Sequence, residues 1–366
     1  MGSELEQSVN PRVLRHAADY AASFAAATPF RHVAIDDFFA DGLLAELVEA
    51  FPAFDEELAV NENGVVGGKA VNEKVAGLGP AWRRLDELVK GQDFRDLIAR
   101  ITGVAELQYD PFYFGGGTHE NRHGQSLDAH VDFNYHPITR QHRRLNLIVY
   151  LTEEWRDEWG GSIQLHRDPY LPPSQDEIVT ITPQLNRCII FETNEYSWHG
   201  FPRIDLPADK RHLSRKSFAL YYYTETRPAD ETGPEHSTIY VEEHLPEDWH
   251  AGMVLGGEQL QHVRNLVTRR DQHLRRLYGN IKQLNTELNQ VREALASAHG
   301  SVEQGAASAT LQADTTDEAL ASAQRLLGAR EAEVRALRGR VKDLEASTSW
   351  RITRPLRRLK QLLTRA

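Results

Sequence analysis

Hydrophobic positions change period twice along the chain. Up to about residue 104 they recur at helical spacing. PRVLRHAADYAASFAAA forms an Ala-rich helical stretch. RHVAIDDFFADGLLAELVEAFPAF gives a short strand, an acidic helix start and an amphipathic helix that Pro52 ends. AWRRLDELVKGQDFRDLIARITG adds one or two helices. From about Leu107 the segments shorten: ELQYDPFYFGGG, RRLNLIVYLTEEW, GSIQLHRD, DEIVTITP, RCIIFET and RKSFALYYYTET are punctuated by Gly, Pro, Asn and Asp. Strands with no helix between them predict an antiparallel sandwich or barrel, not βαβ units. The fold class is therefore α+β, with helices 1–104 supporting a jelly-roll-like β core over 105–250.

After residue 257 the pattern becomes a heptad. With Leu260 as position a, the a set is Leu260, Val267, Leu274, Ile281, Leu288 and Leu295, and the d set is Val263, Arg270, Leu277, Leu284 and Val291. All but Arg270 are apolar, which predicts a C-terminal coiled coil over 257–298. The polar, small-residue stretch 299–318 reads as a linker. A second coiled-coil helix is expected over 319–347, again with one arginine, Arg330, at a d position. Self-association into a homo-oligomer, or pairing with a partner, is favoured over an intramolecular helical hairpin.

Composition narrows the function classes. The net charge of −11 argues against general nucleic-acid binding. No apolar run is long enough to cross a bilayer, and the N-terminus lacks the pattern of a signal peptide. The one cysteine, Cys188, excludes an internal disulfide framework and any zinc site built on several thiolates; a small buried hydrophobe in a reducing cytoplasm is its expected role. Charge is uneven, however. Residues 348–366 hold six Lys/Arg and no Asp or Glu, a net +6, so the preceding residues together carry −17.

Chemistry concentrates in DAHVDFNYH, residues 128–136. On a strand, side chains two apart share a face, so His130 and Asp132 project together. An imidazole and a carboxylate so placed are two-thirds of the facial triad that holds non-haem iron(II). His136, His142, His166, His199 and His212 follow. His199 stands out because it lies just after RCIIFET, between Trp198 and Gly200, where glycine permits close backbone approach; His166 is the runner-up. Further on, Arg215 and Ser217 share a strand face and suit a bidentate carboxylate. Tyr113, Asn146 and Tyr150 are candidates to line the pocket, each with a structural role as the competing reading. His119 and His123, in GGGTHENRHGQ, read as solvated loop residues that could cover it.

The ordered set HVD, RLNLIVYL, EWGGSIQL, SWHGFP and RKSFALYYYT, over roughly 105–227, resembles the 2-oxoglutarate- and Fe(II)-dependent dioxygenases of the prolyl 4-hydroxylase-like branch. That resemblance implies a double-stranded β-helix with Fe(II) held by His130, Asp132 and His199 as the catalytic and metal-binding residues. It implies 2-oxoglutarate as cosubstrate, its far carboxylate on Arg215 and Ser217, with ascorbate as an accessory reductant. The implied reaction decarboxylates 2-oxoglutarate and hydroxylates a substrate C–H. Collagen-type prolyl hydroxylases use lysine for that carboxylate, so prolyl specificity does not carry over to this Arg-x-Ser arrangement.

The basic tail 348–366 interleaves Trp350, Ile352, Leu356, Leu359, Leu362 and Leu363 with arginines, a pattern suited to an anionic membrane surface or an acidic partner. Its TSWRITRPLR resembles a short segment that follows coiled coils in bacterial surface-polysaccharide proteins, often glycosyltransferases. This implies a cytoplasmic enzyme, peripheral at the inner membrane, working in O-antigen or capsule assembly on a small molecule, glycan or protein. Two rivals remain: a cupin-type sugar-modifying enzyme, and a non-catalytic coiled-coil scaffold for glycosyltransferases.

Overall fold

A computed structural model of the chain describes residues 3–55, 70–241, 245, 249–305, 320–332, 334 and 335. The elements run α1 (Glu4–Ser8), α2 (Pro11–Arg15), α3 (Ala17–Ala26), β1 (His32–Ile35), α4 (Asp41–Glu49), β2 (Ala70–Asn72), α5 (Pro80–Lys90) and α6 (Gln92–Thr102). They continue with β3 (Gln108–Tyr109), β4 (Gly117–Asn121), β5 (Leu127–Val131), β6 (His142–Tyr150), β7 (Ile163–His166), β8 (Ile178–Ile181), β9 (Cys188–Glu192), β10 (Trp198–Phe201), β11 (Arg215–Thr224), β12 (Ile239–Tyr240) and α7 (Gly257–Gly305). The chain divides into two units, Met1–His244 and Leu245–Ala366.

The first unit contains two antiparallel sheets. The larger is ordered β1-β9-β6-β11-β4-β2, with β3 also on β11; the smaller is ordered β12-β5-β10-β7-β8. Sequence explains how they layer. In β6 and β11 almost every residue is buried, because each face has its own cover. Leu145, Leu147, Val149, Phe218, Leu220 and Tyr222 pack with Trp82, Leu85, Phe94 and Leu97 from α5 and α6. The alternate residues turn the other way: Tyr150 joins Ile189 and Phe191 from the large sheet and Ile163 and Leu165 from the small one in a separate core. Helices thus cover one face of the large sheet, an arrangement of antiparallel sheets and helices consistent with a double-stranded β-helix.

One open alternative is resolved and two details differ from the sequence expectation. The stretch AWRRLDELVKGQDFRDLIARITG forms two helices because Gly91 caps both, ending α5 and starting α6. ELQYDPFYFGGG keeps only Gln108–Tyr109 as strand, since Asp110 accepts from the amides of Phe112 and Phe114 and turns the chain. GGGTHENRHGQ is not a solvated loop throughout: Gly117–Asn121 is the wholly buried strand β4, paired with β11 and β2.

In the second unit α7 is a single long helix. Of its expected heptad positions, Leu274 and Leu288 are buried, whereas Leu260 remains 42% exposed. Ion pairs join it to the helical residues 320–332 of the same chain: Arg292 to Glu331 at 2.8 Å, and Arg330 to Glu287 at 3.7 Å. Intrachain helix pairing is therefore present. Leu295, most of the linker 299–318, residues 319, 333 and 336–347 of the expected second helix, and the whole tail 348–366 lie outside the described residues or side chains. Among the described residues, no helix is long and apolar enough to cross a membrane.

Candidate active site

The site begins with one ladder pairing. β10 runs antiparallel to β5, and His199 sits directly across from His130. The register slips by one residue before the next pair, Phe201 with Leu127. The slip bends β5 over Gly200, where a Cβ would lie 2.6 Å from the Leu127 carbonyl oxygen and 2.9 Å from the Ala129 nitrogen. Only glycine fits there, and the bulge aims both imidazoles inward. Asp132 follows β5 and completes a cluster whose ligand atoms all lie within 4.8 Å of one another. His199 Nε2 is 3.4 Å from Asp132 Oδ2, and His130 Nε2 is 3.7 Å from Asp132 Oδ1. Donors about 2 Å from one cation lie roughly 3–3.5 Å apart in octahedral or tetrahedral geometry, so small movements would seat an ion.

Both imidazoles are presented in the same way. His130 Nδ1 lies 2.9 Å from the Asp128 carbonyl, and His199 Nδ1 lies 2.9 Å from the Ser197 carbonyl. A carbonyl can only accept, so the proton belongs on Nδ1 and the Nε2 lone pair faces the cluster. Burial, with His130 next in effect, holds the His199 pKa down to about 3. Burial pushes the Asp132 carboxyl up, but Arg143, His199 and His130 outweigh it and keep it well below the usual carboxylate range. His199 and Asp132 are thus both deprotonated at neutral pH, as metal ligation requires.

The other candidate histidines are engaged elsewhere. His166 pairs with Trp198, one residue out of phase with His199, and hydrogen-bonds Asp176 at 2.8 Å. His136 is buried, accepts at Nδ1 from the amides of Ile138 and Thr139, and faces Asp110 at 3.3 Å. His142 lies against Tyr135, and His212 is exposed. His123 accepts the Leu206 amide.

A second group of polar side chains sits on β4, β6 and β11. Arg215 is buried, donates from Nε to the Gly161 carbonyl at 2.7 Å and from Nη2 to the Tyr150 hydroxyl at 2.9 Å, and lies over the Phe201 ring at 4.3 Å. Tyr150 accepts that bond, so its own proton is available to a further acceptor. The ladder sets Ser217 beside Tyr150 on one side and His119 on the other. The Ser217 hydroxyl is fully buried with no partner, and Asn121, directly across from Arg215, has an unpartnered Oδ1. Such atoms are costly to bury unless something completes them. A guanidinium and a phenol in contact, with a serine hydroxyl on the neighbouring register position, form a set of groups able to donate to a carboxylate.

Of the residues with competing readings, Tyr150 and Asn146 line the site. Tyr113 instead donates to Asp86 at 2.9 Å and packs on Phe218, a structural role. Sequence reasoning missed Arg143, buried between the Tyr221 and Phe133 rings at 3.6 and 4.4 Å, with Nη2 3.0 Å from Asp132 Oδ2. It also missed Asn121 and the buried strand position of His119, which it reads as a loop residue; the polar alternation in THEN beside the glycines was their only signal.

Residues 116–223 match the family model described as the 2OG-Fe(II) oxygenase superfamily. This stretch is a 2OG-Fe(II) oxygenase domain, the chain that carries it is an enzyme of that class, and its cofactors are Fe(II) and 2-oxoglutarate. No curated protein matches the sequence. Among solved structures, the chain is similar to the Trichoplax adhaerens prolyl hydroxylase in complex with a hypoxia inducible factor peptide fragment (16% identity, 59% of this chain, 94% of that chain, TM-score 0.41). It is also similar to a Phytophthora capsici prolyl 4-hydroxylase (18%, 89% and 98%, TM-score 0.40). A third is HygX from Streptomyces hygroscopicus with nickel and 2-oxoglutarate bound (13%, 56% and 91%, TM-score 0.36).

Proposed function

We propose that the protein is a 2-oxoglutarate- and Fe(II)-dependent hydroxylase of the prolyl 4-hydroxylase-like kind, with His130, Asp132 and His199 as its metal ligands. The observation that carries this is the convergence of these three donors, with both Nε2 lone pairs and the carboxylate turned to one point. Arg215 and Ser217 take the far carboxylate of 2-oxoglutarate, and the Tyr150 hydroxyl gives a third donor. The unpartnered Ser217 hydroxyl favours this over a cupin-type sugar-modifying enzyme, which needs no such pocket. When bound, iron(II) and 2-oxoglutarate supply, with O2, an oxidative decarboxylation to succinate and CO2 coupled to insertion of one oxygen atom into a substrate C–H bond.

The chain's own contribution is positioning and exclusion of water. Carbonyl-anchored Nδ1–H groups fix the two imidazoles, and Phe191, packed against His199 at 4.7 Å, shields them on one side. Tyr240, stacked on His130 at 5.0 Å, closes another side. The Arg215 guanidinium is held at two of its nitrogens before any ligand arrives, so little side-chain entropy remains to be lost on binding. The substrate class extends to a sugar, a lipid-linked glycan or a protein side chain.

The cellular setting rests on the C-terminal sequence. With α7 mediating self-association and 348–366 contacting a membrane surface or a glycosyltransferase, the enzyme would act at the inner face of the membrane during surface-polysaccharide assembly. Support for this is the TSWRITRPLR segment and the heptad.

Anaerobic titration with Fe(II) and then 2-oxoglutarate tests the catalytic reading. A weak visible charge-transfer band should appear and should be missing from His199→Ala. Admitting O2 should yield succinate. No band from the folded wild-type protein refutes the ligand assignment.

A further inference from the structure

We propose that Arg143 and Asn146 are positioning residues that clamp one oxygen of Asp132 and leave the other for the metal. This rests on the proposed ligand set. Asp132 Oδ2 receives two donors, Asn146 Nδ2 at 2.8 Å and Arg143 Nη2 at 3.0 Å. Each oxygen faces one imidazole, Oδ1 with His130 Nε2 at 3.7 Å and Oδ2 with His199 Nε2 at 3.4 Å, so it is the two donors on Oδ2, and none from Arg143 or Asn146 on Oδ1, that distinguish them. The Asn146 amide has only one possible orientation, because its Oδ1 already accepts from Arg143 Nε at 3.1 Å and from Nη2 at 2.8 Å. Arg143 is itself immobile, with its flat guanidinium between two aromatic rings and almost no exposure.

An unclamped carboxylate can rotate and chelate a cation with both oxygens. Chelation by Asp132 would consume a coordination position that 2-oxoglutarate or O2 requires. Tying Oδ2 to two fixed donors prevents this, and lysine could not replace the planar fork that bonds Asn146 and Asp132 together. The clamp belongs to β6 on the large sheet, while His130 and His199 stand on the small one.

The test uses full-length protein and Co(II) as a spectroscopic probe, with Arg143→Lys and Asn146→Ser; neither substitution removes the cation. Each should weaken Co(II) binding about 10–100-fold, the usual cost of losing a partner of a metal ligand, and should shift the Co(II) visible bands. Folded variants with wild-type affinity and bands overturn the inference and leave the ligand set standing. A Co(II) titration unchanged by His199→Ala overturns the ligand set, and the clamp with it. Wild-type protein labelled with 13C-aspartate gives an answer without mutation. Metal addition should produce the widely split carboxylate stretches of single-oxygen ligation in the difference infrared spectrum; the narrow splitting of a chelate refutes the clamp.

Discussion

His199 lies straight across the β5–β10 ladder from His130, with ring centroids 4.3 Å apart. Residues distant in sequence thus become nearest neighbours through backbone hydrogen bonding, and the pairing depends on how closely the two strands can approach at Gly200.

Gly200→Ala should therefore break the pair. Its Cβ would meet backbone atoms, which cannot rotate away. We expect a stability loss of about 1–3 kcal/mol, the range for overpacking, and weaker metal binding. Urea unfolding and Fe(II) titration read the two effects; an alanine variant with wild-type values for both would show that the bulge is dispensable.

Arg215→Lys keeps the charge and loses the fork to Gly161 and Tyr150. Charge-assisted hydrogen bonds contribute about 1.5–3 kcal/mol, so 2-oxoglutarate binding should weaken roughly 10–100-fold while Fe(II) affinity stays unchanged. Separate anaerobic titrations of the two ligands distinguish these outcomes.

Ser217→Ala should have opposite effects on folding and on binding. The hydroxyl is buried without a partner, so removing it should leave the apo protein equally or more stable. Affinity for 2-oxoglutarate should nevertheless fall by about 1 kcal/mol, roughly fivefold. Paired melting curves, with and without 2-oxoglutarate and metal, check both signs.

Acid should destabilise the apo protein through His199. Its pKa is lowered to about 3 from 6.5, so the unfolded chain binds the proton more readily. The stability due to this group is complete above pH 6.5 and declines as pH falls towards 3, by up to about 1.4 kcal/mol per pH unit. The depressed carboxyl of Asp132 adds a further loss only below its unfolded value of 3.8. Urea unfolding at pH 7 and pH 5 should show a smaller difference for His199→Gln than for wild type.

The His130–Asp132–His199 cluster proposed as the ligand set is legible in the sequence because its pattern is marked by local signals. His130 and Asp132 obey the two-residue period of a strand, and His199 is marked by the apolar strand before it and the glycine after it. Arg215 and Ser217 follow the same period. Arg143 was not legible, because RR in a strand start looks solvated. Only a register slip between Tyr222 and Tyr223 on β11, together with two aromatic rings from different elements, makes a buried place for it. Asn121 and the buried strand place of His119 were hidden for a related reason: THEN has poor strand propensity and becomes β4 only because β11 and β2 flank it. The helical layer was readable from its period, but the break at Gly91 was not fixed by periodicity.

The two sheets divide the work between them: the small one carries the imidazoles, and the large one carries the guanidinium, phenol and serine. A molecule gripped at one end by each is a crossbar between layers. Its arrival should slow amide exchange in β5, β10 and β11 together, so occupancy would register as stiffening throughout the sandwich.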